Sequence, residues 1–151
     1  MIVYRLGRAQ YSTDLVGEGA RRFGGRWNNI GTQCLYTSAS RALAVLEYTV
    51  NVNIDDIPRV LSFTIIEIPD IIQELKISEL PEDWNQSPAP SSTKNYGSEL
   101  LIKADAPIIK IPSIIIPQEF NYILNPIHVE SKNFKILDLE DFIYDIRIKM
   151  S

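Results

Sequence analysis

The chain has one histidine, His128, and one cysteine, Cys34, among its 151 residues. A zinc centre takes about four histidine, cysteine or carboxylate ligands at suitable spacing, so neither structural nor catalytic zinc is expected. A single thiol forms no intrachain disulfide. A Ser-His-Asp triad and a Cys34 nucleophile would both depend on His128, and no G-x-S-x-G elbow is present. Positive charge is not in excess either. The 15 Lys and Arg stand against 19 Asp and Glu, for a net charge of -4 without any basic cluster, which argues against direct nucleic-acid binding through phosphate neutralisation. Long apolar runs are missing: "FTIIEIPDII" is broken by Glu67, Pro69 and Asp70, far short of the roughly 20 apolar residues that cross a bilayer. The start "MIVYRLG" carries no basic region followed by an apolar signal core. A cytoplasmic chain with no membrane role is expected. "GEGARRFGG" lacks both the P-loop Gly-Lys-Ser/Thr ending and a G-x-G-x-x-G turn, so no standard phosphate cradle is indicated.

What is present is an ordinary globular composition, 45% hydrophobic, 23% charged and 9% aromatic, at a length that suits one domain over residues 1–151. "IVYRL" reads as a first strand. From Gly7 to Gly31 apolar periodicity vanishes while glycines gather, the mark of a long shaped loop. "CLYTS" reads as a short strand, and Ser38 or Ser40 caps a helix reaching about Val50. On that helix Leu43, Leu46 and Val50 share a face, with Glu47 at its border. "RVLSFTIIEI" alternates as a central strand does, and three prolines in "LPEDWNQSPAPSST" mark an exposed loop. "STKNYGSELLIKAD" reads as a helix weakened by Gly97, and "PIIKIPSIIIP" as a strand interrupted at Pro112, which isolates Ser113. "EFNYILNP" looks like a helical turn stopped by Pro126, and "FKILDL...FIYDIRI" supplies one or two last strands. Without regular strand-helix alternation the class is α+β, mixed small sheets with a few helices.

The segment "GGRWNNIGTQCLYTSASRALAVLEY" holds the most chemistry. Gly24-Gly25 permits close backbone approach to a ligand, and Arg26 offers a planar fork of donors suited to a diphosphate. A surface turn with an ordinary salt bridge is the plainer alternative. Trp27 reads as a core anchor. Tyr36 can set its ring against a nicotinamide or its hydroxyl on a ribose, or it can be a core tyrosine with a satisfied hydroxyl. Glu47 is either a solvated charge or, facing a cleft, an acid that binds a ribose hydroxyl and stabilises the positive charge of a breaking glycosidic bond. A buried Ser113 hydroxyl needs a partner.

The ordered blocks "YRL...FGGRWN..G...LYTS.S.ALAVLE", "LP.DW", "IPSIIIPQEFNYILNPIH" and "FIYDIRI" resemble the RES domain family, named for an Arg, a Glu and a Ser. The resemblance runs nearly end to end. It implies a fold like that of ADP-ribosyltransferase toxins and the role of toxin in a bacterial type II toxin-antitoxin pair, beside an Xre-type helix-turn-helix antitoxin. It implies NAD as substrate rather than cofactor. The family's Arg falls on Arg26, its Tyr on Tyr36, its Glu on Glu47 and its Ser on Ser113. Supporting roles are implied for Arg5 and, in binding, for Asn121, Asn125 and His128, with shaping of the cleft wall as the alternative for "NPIH". On this pattern Arg26 holds the diphosphate, Tyr36 positions the nicotinamide side, Glu47 stabilises an oxocarbenium-like transition state, and Ser113 fixes a ribose or amide group. Water, inorganic phosphate as co-substrate, or a protein side chain would each serve as acceptor. A module that binds antitoxin but has lost activity is a competing class, and a homodimer is left open.

Overall fold

The computed structural model describes residues 1–150. Seven strands join in one sheet in the order β4-β5-β6-β2-β1-β3-β7. They are β1 (Ile2–Gly7), β2 (Leu35–Ser38), β3 (Val60–Glu67), β4 (Ile72–Glu74), β5 (Ile108–Pro112), β6 (Phe120–Leu124) and β7 (Lys135–Ile143). All neighbouring pairs are antiparallel except β4 with β5. Three α-helices are present among the described residues: α1 (Glu18–Phe23), α2 (Arg41–Asn51) and α3 (Ser91–Lys103). This is the expected α+β class, with the strands gathered into a single sheet.

The inner part of the sheet is buried on both faces, whereas the edge strand β7 is exposed or half-buried along its length. Leu6, Leu61, Phe63 and Ile65 pack with Ala44 of α2 on one side, while Val3, Leu35, Ile66 and Leu124 form a second cluster. A third cluster joins Trp27, Trp84 and Leu101 to Ile109, Ile111 and Ile123. β3 is therefore an inner strand with six consecutive buried positions, Leu61 to Ile66. Its polar members survive burial by bonding: Thr64 Oγ1 donates to Ser12 O at 2.7 Å.

Ser40, not Ser38, caps α2, its hydroxyl accepting from Leu43 N at 3.1 Å. The buried positions of this helix are Leu43, Ala44 and Thr49, and Val50 is 55% exposed. The expected 43-46-50 face is thus corrected: Thr49 Oγ1 shares a 2.7 Å hydrogen bond with Tyr144 Oη, so the helix also packs where its pattern is polar.

Two further readings are corrected. "EFNYILNP" is not a helical turn but contains β6, held between β5 and β2. The segment between Gly7 and Gly31 is not loop throughout, since α1 interrupts it. That helix starts where Asp14 accepts hydrogen bonds from the amides of Val16, Gly17 and Glu18.

Cys34 lies 1% exposed in the third cluster, and burial pushes its thiol up to about 12. Unfolded, a thiol ionises near pH 8.5. Stability gained from keeping it neutral is complete below that value and is lost as pH rises toward 12. The chain is expected to lose roughly 2 kcal/mol between pH 7 and pH 10 through this group. Urea midpoints at the two pH values check this: Cys34→Ala should show a smaller alkaline loss than the parent.

Candidate active site

A cleft of about 700 Å³ opens between α2 and the strands β1, β2, β5 and β6, within the size range of small-molecule sites. Arg26, Tyr36, Glu47 and Asn121 line it. Ser113 stands beside it, bonded to Glu47. These five expected residues are thereby brought together from five separate parts of the chain, the turn after α1, β2, α2, the segment after β5, and β6.

The Glu47 carboxylate is held on one side only. Its Oε1 accepts from Ser113 Oγ at 2.8 Å and from Asn121 Nδ2 at 2.7 Å, whereas Oε2 carries no protein hydrogen bond among the described residues. Ser113 is completely buried, and its Oγ accepts from the amides of Ile115 and Ile116 at 3.1 and 3.3 Å. The interruption of the strand after Pro112 turns these two amides onto the hydroxyl. With its lone pairs so occupied, Ser113 has one proton to give, and it goes to Glu47. The free oxygen Oε2 is left as an acceptor toward the cleft.

Arg26 sits at the tip of a tight turn closed by reciprocal hydrogen bonds between Gly25 and Asn28, of 3.1 and 3.5 Å. The turn follows the end of α1 at Gly24, whose φ of 70° lies in the left-handed region that glycine tolerates. Arg26 Nη1 donates to the carbonyls of Trp84 and Gln86 at 3.0 and 2.7 Å, which leaves Nη2 and Nε without a partner among the described residues. Burial pulls its pKa below the usual arginine value, opposed by the charge of Glu47 across the cleft. Two carbonyls, not a carboxylate, fix this cation, so among the described residues the salt bridge of the plainer alternative is absent and the charge is available to an anion.

Tyr36 follows one of the two alternatives open to it, a tyrosine whose hydroxyl is satisfied within the protein. Its hydroxyl accepts from Trp27 N at 3.0 Å and donates to Asn28 Oδ1 at 2.5 Å, so its proton is engaged within the protein while the residue lines the cleft. Burial raises its pKa well above the usual tyrosine value. Gly25 serves this ring: a Cβ there would lie 2.7 to 2.9 Å from Tyr36 atoms. Gly25 thus lets the backbone approach the Tyr36 ring closely, and it also lines the cleft.

Asn125 and His128 are not among the residues that line the cleft. Asn125 is completely buried, its Nδ2 donating to Leu101 O at 2.8 Å and its Oδ1 accepting from Ile127 N at 3.3 Å. Both groups are consumed in fastening the end of β6 to α3. His128 caps a short turn, its Nδ1 accepting from Glu130 N at 3.0 Å. Arg5 lines the cleft, but its Nη2 donates to Tyr11 O and Ser12 O at 3.3 and 3.1 Å, which shapes the loop after β1. Trp27, 4% exposed and stacked on Trp84 at 6.4 Å, is the core anchor it was read to be.

Two residues escaped the sequence reading. Asn28 is fully buried and its Nδ2 donates to the carbonyls of Ala20, Asn29 and Thr32, so it holds the α1 loop against Tyr36. No local pattern marks it. Ser38, read only as a possible cap, instead donates to Asn121 Oδ1 at 2.7 Å; the signal would have been the pairing of β2 with β6, which local periodicity does not reveal.

Other proteins share this arrangement of chain. The crystal structure of the M. tuberculosis MbcT-MbcA toxin-antitoxin complex contains a chain that aligns with a TM-score of 0.75 at 18% identity, over 93% of this chain and 83% of that one. A protein of Photorhabdus laumondii named Toxin Res is 43% identical over 83% of this chain and 82% of its own. A Pseudomonas putida protein of the same name is 34% identical over 98% and 99%. A protein of Sphingobium sp. (strain YBL2) named Prs ADP-ribosylating toxin is 33% identical over 93% and 90%. The model of the RES domain matches residues 2–145, a span that carries every residue of the cleft, and the chain belongs to the RES domain family.

Proposed function

We propose that this chain is the toxin of a toxin-antitoxin pair and that it consumes NAD by breaking the bond between nicotinamide and ribose. The observation that carries the reading is the divided Glu47 carboxylate: Oε1 is anchored by Ser113 and Asn121, and Oε2 is unbonded in a cleft that also holds Arg26. Nicotinamide leaves as a neutral ring from a cationic one, so the reaction asks for no strong general acid. It asks for a fixed negative charge beside the ribose carbon as positive charge develops there. Glu47 supplies that charge without having to reorganise. Nη2 and Nε of Arg26, without a partner among the described residues, would take the diphosphate, and the Tyr36 ring would form a wall for the nicotinamide end.

Purified chain freed of antitoxin is expected to deplete NAD and release nicotinamide. Product analysis with and without phosphate separates the acceptors: ADP-ribose for water, ADP-ribose 1''-phosphate for inorganic phosphate. Unchanged NAD in both conditions would overturn the reading. A second reading, protein ADP-ribosylation, is favoured by the name of the Sphingobium relative; label transferred from NAD to a protein target would support it, and it uses the same bond cleavage. An Xre-type helix-turn-helix antitoxin is the proposed partner, and any operator binding is assigned to it, given the net charge of -4 here.

A further inference from the structure

We propose that Ser38 is a positioning residue for Glu47, acting through the side chain of Asn121; the inference rests on the NAD-cleaving reading of the cleft. Ser38 ends β2 and stands directly opposite Asn121 in the register of β2 and β6. It is 4% exposed, so its hydroxyl needs a partner within the protein. That partner is Asn121 Oδ1 at 2.7 Å, and Asn121 Nδ2 in turn reaches Glu47 Oε1 at 2.7 Å.

The chain of bonds has one polarity. A carboxylate oxygen accepts, so Asn121 must offer it the NH2 group; the amide oxygen then faces Ser38, and the hydroxyl must donate its single proton. Without that hydroxyl only Glu47 itself favours this orientation, and the amide loses the anchor at its other end. A half-turn of the amide would set Oδ1 against Oε1, oxygen facing oxygen. Ser113 cannot replace the lost constraint, because its one proton already goes to Oε1. Ser38 thus keeps Glu47 held at two points, which is what fixes the direction of the free Oε2.

Ser38→Ala is expected to lower kcat for NAD by about tenfold to a hundredfold, as small misplacements of catalytic groups do, with KM changed less than twofold. Placed on Asn121→Ala, the same substitution should add almost nothing, since the two residues act as one chain. A kcat unchanged by Ser38→Ala, or a full further loss on Asn121→Ala, would overturn the proposal. The link also has a readout independent of turnover: in the free protein, the side-chain amide resonance of Asn121 should shift and exchange faster with water in Ser38→Ala. If that resonance does not move, Ser38 does not orient Asn121. If it moves while the parent chain leaves NAD intact, the orienting link stands and the NAD reading fails.

Discussion

Glu47→Gln is expected to fold as the parent does and to lose at least about a hundredfold in NAD turnover, the scale on which a preorganised electrostatic group acts in a transition state. The substitution is selective because of how the carboxylate is held. A glutamine carbonyl can still accept from Ser113 and Asn121, which now bond to Oε1. Only the free position changes, from an anionic acceptor to an uncharged NH2 donor facing the cleft. Thermal midpoints of variant and parent should therefore agree within about 2 °C, and loss of activity would report the chemistry rather than the fold. Glu47→Ala removes the anchor as well and should be at least as inactive. Turnover within tenfold of the parent in Glu47→Gln would remove the carboxylate from the mechanism.

Gly97→Ala should destabilise the chain by at least about 3 kcal/mol, the upper end of overpacking effects, or lower the thermal midpoint by about 6 to 12 °C. Helix propensity alone predicts the opposite sign, since Ala exceeds Gly by about 1 kcal/mol in a helix interior. The reversal comes from contact between α3 and the turn that carries Arg26. A Cβ on Gly97 would lie 2.0 Å from the Trp27 carbonyl oxygen and 2.9 Å from its Cα, and both are backbone that cannot rotate aside. The neighbouring bond from Asn29 N to Ser98 Oγ at 2.8 Å ties the same surfaces together. Thermal melts of Gly97→Ala against the parent check the sign, and a melt equal to or above the parent's would show that the turn can yield.

Several elements were legible because their signal is local. β1 and β3 show in their apolar runs, and the cap of α2 in a serine ahead of a periodic stretch. β6 reads poorly from sequence because a cluster packs on each of its faces, Tyr122 and Leu124 in one and Ile123 in another, so three consecutive residues are buried and no period of two survives. α1 was passed over because a six-residue helix with a glycine has no apolar stripe and rests on Asp14 and on ion pairs of Glu18 with Arg21 and Arg22. Gly97 read as a weak point of α3, although it is the position that allows the helix backbone to meet Trp27.

In the cleft the residue types were legible and their partners were not. Composition, turn chemistry and ordered blocks determined by themselves the α+β class, the short strand and helix around Tyr36 and Glu47, and an Arg, a Glu and a Ser matching the RES pattern. Only the tertiary structure decided that Glu47 meets Ser113 and Asn121 at separations of 66 and 74 residues, that the Tyr36 hydroxyl is spent on Trp27 and Asn28, and that Asn125 and His128 are not among the residues that line the cleft. The physical reason is that hydrogen-bond satisfaction in a buried site is settled by strand pairing. The β2-β6 and β5-β6 registers choose which donors face which acceptors, and a register is a relation between distant segments that neither segment carries alone.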